Sequence, residues 1–185
     1  SISLDMGSPR WGSDDKIDYW KSGVTYEHGI RILRKANLVF KVDGIVGERL
    51  PMWSENSAGG SNLRGFLYRQ FMGDTQMRSQ VEFHFPLFAI SKLEFRGLVF
   101  NDTAAVWYRD LPNELAGTYD TRFDGRNFLP RDFLTEGFDA TRDVHTSVGG
   151  GLRFFLRSVS VPLVGVDYGY GVGTGTWRLV LVLGV

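Results

Sequence analysis

Apolar and polar residues alternate along most of the chain. Between 24 and 32 the even positions are Val24, Tyr26, His28, Ile30 and Ile32, with Thr25, Glu27, Gly29 and Arg31 between them. Leu38, Phe40, Val42 and Val46 alternate with polar positions that include Lys41 and Asp43. Met77, Val81, Phe83, Phe85 and Leu87 alternate with Arg78, Gln80, Glu82 and His84, and Leu93, Phe95 and Val99 with Glu94 and Arg96. Val144, Thr146, Val148, Leu152, Phe154 and Leu156 are separated by His145, Ser147, Gly149, Gly151 and Arg153. Val164, Val166, Tyr168 and Tyr170 are separated by Gly165, Asp167 and Gly169. Trp177, Leu179, Leu181 and Leu183 repeat the pattern near the end, and Ile2, Leu4 and Met6 form a short first piece. A period of two means strands with one apolar face. No stretch holds a 3.6-residue apolar stripe for three turns, so the expected fold is all-β and antiparallel.

Most of these eight segments run to about 9–15 residues, against about 5–6 for a soluble strand and about 9–11 for a bilayer crossing. The connections alternate as well. Those at 33–36, 89–92 and 157–160 are tight, whereas 7–18, 51–75 and 109–142 are long, and the last, near 173–175, is short. Tight turns on one side and long loops on the other is the habit of outer-membrane barrels, and it leaves the last strand ending in the periplasm. A soluble β-sandwich or lipocalin-like barrel also alternates, with its apolar face inward. Strand length favours the membrane. So do the aromatic residues near strand ends (Tyr19, Trp20, Trp53, Trp107, Tyr108, Tyr168, Tyr170 and Trp177), placed as an interfacial girdle.

Composition narrows the class. Lys+Arg and Asp+Glu are both 21, so the formal charge is zero, against the basic excess of a nucleic-acid binder. Cysteine is absent, which removes disulfide scaffolds and thiolate metal sites. Glycine is 23 of 185 residues, well above the ordinary share of about 7%. The segment 1–11 lacks a basic and apolar leader pattern, so any signal peptide is absent from this sequence.

Four motifs carry a family resemblance. GGSNLRGF at 59–66 resembles the G-G-x-x-x-R-G-F loop of the superfamily of BamA-type outer-membrane assembly factors and two-partner secretion transporters. SQVEFHFPL at 79–87 is similar to that family's strand with a Glu and a closing Pro-Leu, and LVFNDTA at 98–104 to its next strand with Phe-x-Asp. SVGGGLR at 147–153 resembles its following S-x-G-x-G-x-R strand. The motifs stand in the family's order across roughly 20–185. Two departures are the ending Leu183-Gly184-Val185 in place of a final aromatic, and Thr103-Ala104 after Asp102 in place of Ala-Gly.

The resemblance implies an antiparallel transmembrane β-barrel, with this chain supplying eight long strands as the C-terminal half of a sixteen-stranded barrel. Residues 1–185 would form one barrel segment, either a piece of a longer protein or a half-barrel that pairs. These eight strands would not close on themselves, because an eight-strand lumen is filled by side chains and has no room for an inward loop. The resemblance further implies that loop 51–75 folds into the lumen, while loop 109–142 lies outside. Gly59, Gly60 and Gly65 suit a tight path. Arg64, beside Phe66, carries a charge that needs a carboxylate away from bulk water. By parity Glu82 and Asp102 both face the lumen. Asp102 is the first candidate partner and Glu82 the second.

His145 and Ser147, two apart on one strand face with Asp143 on the same face, could form a Ser-His pair of a hydrolase, but catalysis is not expected: polar lumen residues near a strand start explain them. His28, His84 and His145 sit on separate strands without metal-ligand spacing, so neither metal nor cofactor is expected. The glycines of 147–151 and 169–175 follow strand alternation and do not open a helix, so they are no phosphate cradle. The mixed charges from Asp120 to Arg142 read as a solvated outer loop.

The expected function is insertion or translocation of other proteins, as in outer-membrane protein assembly, secretion or a surface-antigen barrel. The lumen would serve together with a lateral seam at strand 176–185 (Thr176, Trp177, Leu179, Leu181, Leu183). The alternatives are an anchor or secretion pore for a separate passenger or enzyme domain, and a small closed eight-stranded barrel. Expected partners are the lipid bilayer, nascent outer-membrane or secreted proteins, and accessory subunits or the missing N-terminal half. The expected location is the outer membrane of a Gram-negative bacterium or of an organelle.

Overall fold

The computed structural model describes residues 1–8, 18–33, 36–51, 53–109, 137–156 and 162–183. Among the described residues ten strands form: β1 (Ile2–Gly7), β2 (Tyr19–Leu33), β3 (Ala36–Glu48), β4 (Asn56–Ala58), β5 (Phe71–Gly73), β6 (Thr75–Ile90), β7 (Leu93–Trp107), β8 (Val144–Leu156), β9 (Pro162–Gly171) and β10 (Thr176–Leu183). Eight of them make one antiparallel sheet in the order β1-β2-β3-β6-β7-β8-β9-β10. Strands β4 and β5 pair only with each other. The large sheet is open, with β1 and β10 at its two ends.

Directly paired residues in an antiparallel sheet share a face, so the register builds rows across all the strands. One row runs Lys41, Gln80, Asp102, Ser147, Gly171, Thr176. The next runs Val39, Glu82, Phe100, Gly149, Gly169, Arg178, and the third Asn37, His84, Leu98, Gly151, Asp167, Val180. These rows line the face that carries the loop between β3 and β6. The opposite face is apolar and open: Val24, Tyr26, Val42, Met77, Val99, Val148, Tyr168, Leu179 and Leu181 are all exposed on it.

The pairing corrects several expectations. The alternation of β6 changes phase at Leu87. Its register with β7 shifts between Pro86 and Phe88, and beyond the bulge Phe88 and Ile90 pair with Phe95 and Leu93 on the open face. Pro86 stands at this bulge, paired with Arg96, a position where a strand tolerates proline. Tyr108 does not belong to an outward girdle, since it is buried at 3% exposure, and Trp53 lies in the loop. Nor is the loop face uniformly polar. Leu98, Phe100, Ala104 and Val106 of β7 are buried on it, and Ala104 and Val106 cluster with Ala58, Leu63, Phe66 and Phe71 of the loop.

Strand β10 ends at Leu183, and 184–185 lie outside the described residues. So do residues 110–136, which carry most of the long loop and its charges from Asp120 to Glu136. The far end of that loop forms a single helical turn, Ala140–Asp143, capped by Asp139, whose side chain accepts from the Thr141 amide at 2.8 Å. Hydrogen bonds from Thr141 hold the Asp139 carboxyl below its ordinary range. Phe138 packs on Trp107 beside this turn, with ring centroids 4.9 Å apart.

Candidate functional site

The loop is built to hold its own shape before it meets the wall. Strands β4 and β5 bring its two arms together, and Asn62 braces the bend by accepting from the Gly59 amide at 2.8 Å and donating to the Ser57 carbonyl at 3.0 Å. Gly59 has φ 126°, and a Cβ there would lie 1.9 Å from the Leu67 carbonyl, so no other residue fits. Sheet side chains then take up loop carbonyls. Lys21 reaches Ser54 at 2.8 Å, Gln76 reaches Ser57 at 3.2 Å and Gln80 reaches Asn62 at 3.3 Å.

At the tip, Arg64 is 3% exposed and sits over the three rows described above. Its Nε donates to Asp102 Oδ2 at 2.7 Å and its Nη2 to Asp102 Oδ1 at 2.6 Å, a two-pronged fit. The Arg64 backbone N–H donates to the same carboxylate at 3.1 Å. Nη1 meets Glu82 Oε1 at 2.7 Å and Asp167 Oδ2 at 3.0 Å. The guanidinium carbon lies 3.5 Å from the centre of the Phe100 ring, an arrangement that suits a planar cation. Burial by itself would lower the guanidinium's affinity for its proton. The hydrogen bonds of Asp102 and the charges of Asp102 and Glu82 outweigh it and hold Arg64 above its ordinary range.

The structure thus brings Arg64, Asp102 and Glu82 together and adds two residues that had been given no role, Asp167 and Arg153. Arg153 donates through Nη2 to Asp167 Oδ2 at 2.8 Å and through Nη1 to Oδ1. Glu82 also bonds His84 at 2.8 Å. Parity along β9 had put Asp167 on the polar face, but parity says nothing about which residues of distant strands fall beside it.

Phe66 packs edge-on against Phe71, with centroids 5.3 Å apart. Gly65, at φ 99°, lies so close to β9 that a Cβ would fall 2.8 Å from the Gly171 nitrogen, and one on Gly169 would fall 2.7 Å from the Gly65 nitrogen. Backbone therefore rests on backbone, which explains why this part of the wall is glycine. On β10, the strand expected to form the seam, Trp177, Leu179, Leu181 and Leu183 are exposed on the open face, and Trp177 stacks on Tyr168 at 5.0 Å. Thr176 turns the other way, and its Oγ1 donates to the Gly65 carbonyl at 2.8 Å.

The His145 ring stacks on Phe71 at 3.5 Å, and Ser147 Oγ is buried with no hydrogen-bond partner among the described residues. His28 stacks beside Tyr26 on the open face, with centroids 6.2 Å apart. Among the described residues no group of His, Cys, Asp and Glu is arranged to hold a metal, and the carboxylates that converge do so on guanidiniums.

No protein-family model matches the chain, and no curated protein matches it. Among solved structures it is similar to the crystal structure of BamA from Haemophilus ducreyi lacking POTRA domains 1–3, with TM-score 0.64 and 20% sequence identity. The likeness covers 98% of this chain and 37% of that one. At this identity the likeness concerns fold, and the open eight-stranded sheet has the architecture of a segment of a BamA-type barrel.

Proposed function

We propose that the chain is the C-terminal half of an outer-membrane barrel that inserts or translocates other proteins through its lumen and a lateral seam at β10. Observation of the loop carries this reading. An arginine caged by three carboxylates on the wall of a BamA-type sheet fixes a large loop inside the lumen rather than leaving it in solvent. A fixed loop narrows the lumen and leaves the sheet edge as the place to offer backbone N–H and C=O groups to an incoming strand. The remaining wall would come from an N-terminal half or a partner subunit. The apolar open face would lie against lipid, and no covalent step is involved.

Two measurements test the reading. Spin labels at Phe83, Phe95, Phe154 and Leu181 should be reached by lipid-soluble quenchers, and labels at Glu82, Arg96 and Arg153 should not. The reverse pattern would make the sheet part of a soluble barrel. The full-length protein in phospholipid vesicles should also speed the folding of an added unfolded outer-membrane protein. Vesicles that instead pass a secreted protein to their lumen would assign translocation, and no effect on either would sink both forms of the proposal.

A further inference from the structure

Among the described residues, β10 is paired along one side only, to β9. The loop adds contacts to this terminal hairpin. Thr176 Oγ1 donates to the Gly65 carbonyl at 2.8 Å, and Arg64 Nη1 reaches Asp167 Oδ2 at 3.0 Å. A Cβ on Gly171 would lie 2.9 Å from the tip of the Phe66 ring, so the ring rests on the strand itself. Thr176 Oγ1 also lies 2.9 Å from Thr174 Oγ1, which itself donates to the Gly171 carbonyl at 3.2 Å. Asp102 alone would suffice to bind the loop to β7. The bonds to Asp167 and Thr176 bind it to the hairpin that ends the sheet.

We infer that the loop tip clasps the β9–β10 hairpin through Asp167 and Thr176, so that seating of the loop sets how readily β10 separates from the sheet. This rests on the proposal that β10 is the seam strand, and it makes the loop a regulator of that strand's availability. When the tip is seated, opening β10 breaks the β9 ladder and the Thr176 bond together. When the tip withdraws, the ladder alone remains.

Hydrogen exchange of the full-length protein in phospholipid vesicles, without substrate, tests the clasp. The readout is the β10 amides bonded to β9, with the β2–β3 amides as internal reference. Thr176→Val keeps the side chain's shape and removes the donor, and it should speed β10 exchange by about three- to tenfold, the effect of one ordinary hydrogen bond. Thr176→Ser keeps the hydroxyl and should exchange like the wild type. Asp167→Asn should act in the same direction as Thr176→Val. The clasp is overturned if Thr176→Val leaves β10 within twofold of wild type, if Ser behaves like Val, or if β2–β3 accelerates equally. Because no substrate is present, the result stands apart from the assembly assay: a protein that fails to fold substrates can still show the clasp, and the reverse.

Discussion

Arg64→Ala should release the loop from the wall while leaving the eight-stranded sheet intact. The variant removes the cation from between Asp102, Asp167 and Glu82, which lie 2.6, 3.0 and 2.7 Å from its nitrogens. Three carboxylates then face one another, and Arg153 and His84 are the cationic or titratable groups left bonded to them. Breaking a buried pair by deleting one partner costs about 3–5 kcal/mol, a factor of roughly 10² to 10⁴ in the population of open loop. Tryptic cleavage after Arg69 should rise by a similar factor, with thermal unfolding of the sheet much less affected. Arg64→Lys should recover only part of the loss, because an ammonium cannot occupy both Asp102 oxygens and lie flat on Phe100 as well. Unchanged cleavage in Arg64→Ala would mean that the apolar contacts alone seat the loop.

Gly169→Ala should dislodge the same loop without touching a charge. Its Cβ would lie 2.7 Å from the Gly65 nitrogen and 2.8 Å from the Arg64 carbonyl carbon. Both neighbours are backbone, so neither can swing aside, and the tip must lift away from β9. Overpacking of this kind costs about 1–3 kcal/mol. It should also pull Arg64 off the geometry of its fork with Asp102. The matched control is Gly44→Ala on the open face, where a Cβ meets nothing within 4 Å and the backbone is ordinary strand. That change should be neutral or stabilising by up to about 1 kcal/mol. Chemical unfolding and loop proteolysis of the two variants separate the effects, and equal behaviour would remove the argument that β9 is glycine in order to admit the loop.

How much of this was legible follows from what alternation encodes. A period of two gives the face of each residue without reference to any partner, which is why Glu82, Asp102, Phe83 and Leu181 could each be assigned a side from the sequence. It does not give register. Asp167 comes beside Arg64 because β9 pairs Gly169 with Gly149 and so sets Asp167 one row from Glu82, a fact that depends on three successive strand registers. Phe100 was hidden for another reason. An aromatic residue at a lumen position looks like a break in the pattern until a guanidinium is seen lying on it. The phase change after Leu87 was hidden because a one-residue bulge inverts the side chains beyond it. The three-residue strands β4 and β5 are too short for any period to show.

The apolar cluster beneath the loop gives its attachment a second temperament. Contacts among Leu63, Phe66, Phe71, Ala104 and Val106 draw their strength from water that leaves, so they weaken on cooling. The caged guanidinium is shielded from solution and responds little to cold or to added salt. The two holds therefore fail under different conditions. A loop seated by both stays in place across a range in which either one alone would let go.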